Sequence, residues 1–327
     1  MEIIPVFFTF NRNYLLAAEV AIFSMLQNAS PKYEYRLYVL HTDISETYQK
    51  ELMKPVNKFK NASLEFIDTS LYDDNEEIME SKSHYSKEIY YKLIASEIFL
   101  MYDRIICSDV DVAFTGDISE SFFMFKDEFF YFAGVGQILN SGRMKSYEKD
   151  FTSEEIEILK KEICAGYLLM NLDAIRKNKM QSKLTSFYKE NYKRLRLPEQ
   201  DCIILCCWPD IRYLPVKYGI DSNFYSEDPK HVSFFRGNDY MPEDHTKALA
   251  IFAAGLKSPV QVHYIGVFKP WNSFFASRQQ LWFHFLYKSG CFSRFIKDMP
   301  KFATKRLKRY SFKRFVSKIN HRFLKSH

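Results

Sequence analysis

The sequence predicts an α/β fold, a mostly parallel central sheet flanked by helices, with a basic helical appendage at the end of the chain. Three observations carry this. Strand-like apolar runs alternate with helically periodic segments in the first third of the chain. Gly and Pro are scarce, at 10 and 11 residues of 327. Positive charge collects near the end. Such alternation implies a parallel sheet covered on both faces. A hydrophobic content of 47% supplies a core and excludes a disordered or collagen-like chain.

Residues 3–8 read as a buried strand, and 13–27 as a helix whose Leu15, Leu16, Ala18, Ile22, Phe23 and Leu26 recur at helical spacing. A second strand at 37–40 and a third at 64–67 bracket a helix at 45–59, with Ser45 placed to cap it. Residues 90–101 read as a helix, and 104–107 as a strand running into Ser108 and Asp109. Further β-like runs at 129–135 and 165–170 enclose a polar stretch, 140–157. Helical segments follow at 174–179, 184–195 and 200–207, and 260–265 reads as a final strand.

No run approaches the ~20 uncharged apolar residues that span a bilayer. The opening Met1-Glu2-Ile3-Ile4-Pro5 lacks the basic and apolar regions of a signal peptide, so the chain is expected to stay where it is made, in the cytoplasm. The six cysteines show no paired spacing, and most lie among apolar neighbours, as reduced core thiols do. Net charge is +6, but residues 288–327 hold 13 Lys/Arg against the single acid Asp298. The rest carries 33 Lys/Arg against 39 acids, so an appetite for nucleic acid is not a property of the main domain.

Asp109-Val110-Asp111 ends the fourth strand, and in parallel sheets ligands bind at the carboxyl ends of strands. Strand alternation would turn both carboxylates to one side, forming a hard-oxygen site for Mg2+ or Mn2+, which would in turn hold a diphosphate. Far downstream stands His263-Tyr264-Ile265-Gly266-Val267-Phe268-Lys269-Pro270-Trp271. His263 closes a predicted strand with an imidazole suited to Mn2+. Gly266 lets backbone approach a phosphate, and Lys269 brings it a point charge.

A strand ending in Asp-x-Asp, followed much later by His-x-x-Gly-x-x-Lys-Pro-Trp, resembles the family-8 retaining glycosyltransferases, which include bacterial lipooligosaccharide galactosyltransferases and glycogenin. The resemblance covers roughly residues 3–272. It implies a GT-A fold and a catalytic domain at 1–272 that uses Mn2+ and a UDP-sugar. Asp109, Asp111 and His263 would coordinate the metal, while Val110, Gly266 and Lys269 would contact the donor. Thr9, Asn13 and Tyr14 stand in the uridine-binding loop, where Arg12 replaces an Asp common in the family. Lys92 takes the place of a donor-contacting Arg or Lys. Ala165 and Gly166 match a sugar-pocket strand whose preceding Asn is Cys164 here. Glu199-Gln200-Asp201 matches the Asp-Gln-Asp segment beside the anomeric carbon and supplies the catalytic candidates.

Residues 273–327 form the expected appendage. Phe292, Phe295, Ile296 and Met299 recur at helical spacing before Pro300, and Phe312, Phe315, Val316, Ile319 and Phe323 make a second stripe among Lys313, Arg314, Lys318 and Arg322. This pattern suits a helix lying on an anionic membrane, which would hold the enzyme at the inner face of the cytoplasmic membrane. The competing readings of the tail are a helix packed on its own domain and an RNA-binding segment. The whole predicts transfer of galactose or glucose to a hydroxyl of a surface glycan or glycolipid. The rivals are an inverting GT-A transferase of another family and a non-catalytic nucleotide-sugar or polyanion binder.

Overall fold

A computed structural model of the chain describes residues 1–72, 87–136, 141–226, 238, 240–273 and 275–309. The second apolar stripe of the tail, 312–323, lies outside the described residues. Seven strands form the main sheet: β1 (Glu2–Thr9), β2 (Tyr33–His41), β3 (Ala62–Asp68), β4 (Arg104–Ser108), β6 (Phe132–Gly136), β7 (Ile163–Asn171) and β8 (Ile211–Leu214). Their order is β3-β2-β1-β4-β7-β6-β8, and only β7 runs antiparallel to its neighbours. A second, three-stranded sheet joins β5 (Val112–Phe114) to β10 (Gln261–His263) and β9 (Ile220–Asp221). The predicted final strand is therefore real but builds this small sheet instead of extending the large one.

Both faces of the main sheet are apolar, as the continuous apolar runs require. Along β1, Val6 and Phe8 join the core on one side while Phe7 joins the core on the other. On the first side lies the helix Leu15–Gln27, with every residue from Leu15 to Leu26 buried. A helix apolar all round must be covered all round. The helix Gln279–Ser289 helps cover it, packing Trp282, Phe285 and Leu286 into the same core. The chain after residue 272 thus begins inside the main core.

Residues 90–101 are not one helix. A 3-10 turn at Lys87–Lys92 and a single α turn at Ala95–Ile98 replace it. Residues 90–96 are buried without interruption, which leaves no solvent face for a continuous helix and turns Lys92 toward the end of β4. The polar stretch holds two helices, Ser141–Tyr147 and Ser153–Leu159, the second started by a Thr152–Glu155 capping box. All six cysteines are free. Among the described residues no helix is long and apolar enough to cross a membrane.

Glu19 sits within the buried helix and is 2% exposed. Arg294, from the helix Phe292–Arg309, pairs with it at 2.6 Å and also with Glu51. Burial raises the Glu19 carboxyl to about 7, with Arg294 opposing the rise. A folded-state pKa above the unfolded one means that stability declines as pH climbs through the window from about 4.5 to about 7. Arg294→Met leaves Glu19 without its cation, so it is expected to destabilise by about 3 kcal/mol at pH 8. The loss should shrink toward pH 5, where Glu19 is protonated; urea melts at the two pH values measure both effects.

Candidate metal and sugar-nucleotide site

Asp109 and Asp111 lie in the short gap between β4 and β5, where the chain leaves one sheet for the other. Strand alternation is therefore not what aligns them. Each is fixed by a different neighbour: the Asp109 amide donates to the Gly166 carbonyl of β7 at 3.0 Å, and the Tyr264 amide donates to the Asp111 carbonyl at 2.9 Å. The antiparallel register of β10 on β5 sets His263 opposite Val112, one residue from Asp111. Gln261 ties the sheets together beneath, donating to the Ser108 hydroxyl at 3.0 Å.

The outcome is a cluster in which one ligand atom each from Asp109, Asp111 and His263 lies within 4.8 Å of the others. His263 Nε2 is 3.1 Å from Asp111 Oδ1 and 3.6 Å from Asp109 Oδ2. Two carboxylates and an imidazole make a donor set that fits a divalent cation. Gly166 leaves room for the His263 ring beside Asp109, because a Cβ there would stand 2.4 Å from His263 Cε1 and 3.3 Å from Asp109 Oδ2.

Two lysines flank the acids. Lys92 is 1% exposed, and its ammonium donates to Asp109 Oδ1 at 2.7 Å and to the Ala165 carbonyl at 2.9 Å, with Glu199 at 3.6 Å. Burial works against its charge, but Asp109 and Glu199 outweigh burial and raise its pKa. Lys269 donates to Asp111 and to the Tyr264 carbonyl. Burial would raise the Asp111 carboxyl, yet Lys269 and His263 hold it far below the usual range. Burial likewise opposes protonation of His263, and Asp111 and Asp109 overcome it. Gly266 adopts φ +82, the left-handed region where a side chain would be strained, in the turn that returns Lys269 to Asp111.

The other predicted residues fall around this centre. Val110 is buried in the core, so its backbone alone can meet a ligand. Tyr14 is partly exposed and stacks edge-on against Trp271 with centroids 6.2 Å apart. Burial and Asp111 both raise its phenol, which puts the ring within electrostatic reach of the acids. Asn13 is exposed beside it, and the Thr9 hydroxyl donates to the Glu88 carbonyl at 2.7 Å. Arg12 turns away to Asp43.

Glu199, Gln200 and Asp201 occupy the first turn of the helix Pro198–Cys207. Gln200 Oε1 accepts the Ala165 amide at 3.0 Å. Glu199 keeps one buried oxygen without a partner among the described residues. Asp201 is fully buried, and its carboxylate accepts from Tyr147 and from the Arg196 and Leu197 amides. Cys164 is half-buried at the start of β7, two residues before Gly166. Sequence reasoning missed Asp221, which the β9–β10 register sets beside His263, and the Arg143, Tyr147 and Glu162 group behind Gln200. A lone Asp carries no pattern, but the Thr152-x-x-Glu155 box marked a helix start close to that group.

The sequence profile of Glycosyl transferase family 8 matches residues 5–274. The chain belongs to this family. It is a glycosyltransferase with a GT-A fold, and the reading as a transferase of another family falls away. It is similar to the Escherichia coli lipopolysaccharide 1,2-glucosyltransferase, 22% identical over 275 residues that cover 80% of this chain and 71% of the relative. The ligand-free bifunctional glycosyltransferase WbbM superposes at a TM-score of 0.70 and 18% identity, over 94% of this chain and 52% of that one. This chain thus spans about half the length of WbbM. The galactosyltransferase LgtC, solved with donor and acceptor sugar analogues, superposes at 0.63 and 17% identity, over 87% of this chain and 96% of LgtC.

Within this family-8 chain, Gly166→Ala tests the close packing of His263 on Gly166. The added methyl is expected to drive the His263 ring off the carboxylates and to weaken divalent-cation binding at least about tenfold in calorimetric titration, since geometry sets affinity at such sites. Unchanged affinity would show that the ring can yield.

Proposed function

We propose that this glycosyltransferase moves a hexose, galactose or glucose, from a UDP-sugar to a hydroxyl of a surface-glycan or glycolipid acceptor, with retention and with Mn2+. The Asp109–Asp111–His263 cluster between Lys92 and Lys269 carries the reading: three hard or borderline donors converge where the two sheets meet. The name of the Escherichia coli relative, a lipopolysaccharide glucosyltransferase, supports an acceptor of the lipopolysaccharide class.

Asp109, Asp111 and His263 would hold the cation, which when bound supplies Lewis-acid stabilisation to a departing diphosphate. Lys92 pins Asp109 from beneath. Lys269, on its Gly266 turn, adds a positive charge where the leaving group gathers a negative one. Asn13 and Tyr14 border the uridine side, with Thr9 behind them. The backbones of Val110, Ala165 and Gly166 form the floor. Gln200 and Glu199 line the sugar, and Asp201 contributes by holding the turn that presents them. With Asp201 saturated by three donors, a front-face attack fits better than a covalent relay through it: the leaving phosphate oxygen takes the acceptor proton on the side the acceptor enters.

Asp109→Asn and His263→Ala are each expected to reduce Mn2+-dependent UDP-hexose hydrolysis and transfer by about a hundredfold or more. Chelation should abolish both activities and added Mn2+ restore them. Near-normal turnover in either variant would overturn the metal assignment.

The described part of the appendage supports a membrane partner. Phe292 (45% exposed), Ile296 (50%) and Met299 (37%) line one outer face of the last helix, which also carries the exposed Lys297 and Lys301. A face of this kind suits an anionic lipid surface. Replacing the three apolar residues by Ser is expected to remove the protein from floated phosphatidylglycerol vesicles while leaving UDP-hexose hydrolysis in solution unchanged. Undiminished flotation would refute the role of this face.

A further inference from the structure

We propose that Glu162 and Arg143 are positioning residues for the reaction, fixing the Gln200 side chain against the sugar pocket. The proposal rests on the reading of Gln200 as part of that pocket. Glu162 stands just before β7, two residues ahead of Cys164, and is fully buried. A carboxylate in so dry a place needs a counter-charge, and Arg143 from the helix Ser141–Tyr147 supplies it at Glu162 Oε1. The second oxygen, Oε2, has no well-formed hydrogen bond among the described residues.

The neighbour that can use this oxygen is Gln200. Its Oε1 is committed to the Ala165 amide, which settles the orientation of the amide group without appeal to choice of rotamer. Its Nε2 is buried and likewise lacks a well-formed partner among the described residues. The Gln200 amide is held at Ala165, three residues on from Glu162, and the Gln200 side chain lowers the Glu162 carboxyl against a burial that pushes it up to about 7. An unsatisfied buried donor thus lies beside an unsatisfied buried acceptor, and closing the pair leaves Gln200 held at both ends of its amide.

The helix Ser141–Tyr147 grips this turn twice. Arg143 reaches it through Glu162, and Tyr147 donates to Asp201 at 2.6 Å. Rotation of the Gln200 amide would break its bond to Ala165, whose carbonyl in turn holds Lys92, so a loosened Gln200 also disturbs the support of Asp109.

The test uses the full chain, with UDP-glucose and UDP-galactose hydrolysis in Mn2+ as the readout and UDP–Mn2+ affinity as the control. Arg143→Met is placed in both arms so that no buried cation is left unpaired. E162Q/R143M keeps an acceptor oxygen for Gln200; E162A/R143M does not. The Gln variant is expected to turn over about tenfold faster or more than the Ala variant, a gap larger than any difference between the two in UDP–Mn2+ affinity, with both folded at the assay temperature. Equal turnover in the two, high or low, while Q200A is crippled, would overturn the proposal and leave the pocket reading intact. Full turnover in Q200A would overturn the pocket reading itself, and this proposal with it.

Discussion

Asp109 and Asp111 stand one residue apart at the seam between two sheets, where their like charges repel. Much of the surrounding structure answers that repulsion. Lys92 neutralises one carboxylate from the core side and Lys269 the other from the loop side, while His263 sits between them. Backbone hydrogen bonds hold the acids in place, one from β7 and one from the chain leaving β10. One anchor lies in the main sheet and the other directly follows β10, so the geometry of the pair depends on both sheets.

The same logic extends outward to the glycosyltransferase's scaffold. The helix Leu15–Gln27 follows directly on the loop that carries Asn13 and Tyr14, and it is buried along its whole length. Its cover comes from the far end of the chain, through Trp282 and the Arg294–Glu19 pair. Trp271 touches both Tyr14 and Trp282, so the Tyr14 side of the candidate site and the covering helix share one set of aromatic contacts. The appendage therefore does two jobs at different faces: its inner side completes the core, and its outer side presents Phe292, Ile296 and Met299.

Some features were legible because they are local. Short apolar runs marked β1 to β4, and the long apolar helix after β1 showed in its spacing. The acidic pair and the His-x-x-Gly-x-x-Lys-Pro-Trp segment were legible as types of chemistry in a recognisable order. Residues 90–101 misled, because their periodicity describes a half-buried helix while the fold buries them on every side. Asp221, Arg143 and Glu162 were invisible for a related reason. Each is an isolated polar residue, and only its partner across the fold gives it meaning.

The sequence by itself determined the alternating α/β plan and the concentration of charge in the tail, since these rest on composition and periodicity, and it offered Asp109, Asp111 and His263 as metal candidates through the order of their motifs. Only the tertiary structure decided that β10 builds a second sheet, that Lys92 is buried against Asp109, and that Asp201 is consumed in holding its own helix start. The physical reason is distance along the chain. His263 meets Asp111 through a strand register, and Glu19 meets Arg294 through helix packing. Neither pairing leaves a local trace, because each exists only when segments far apart in sequence bury one another.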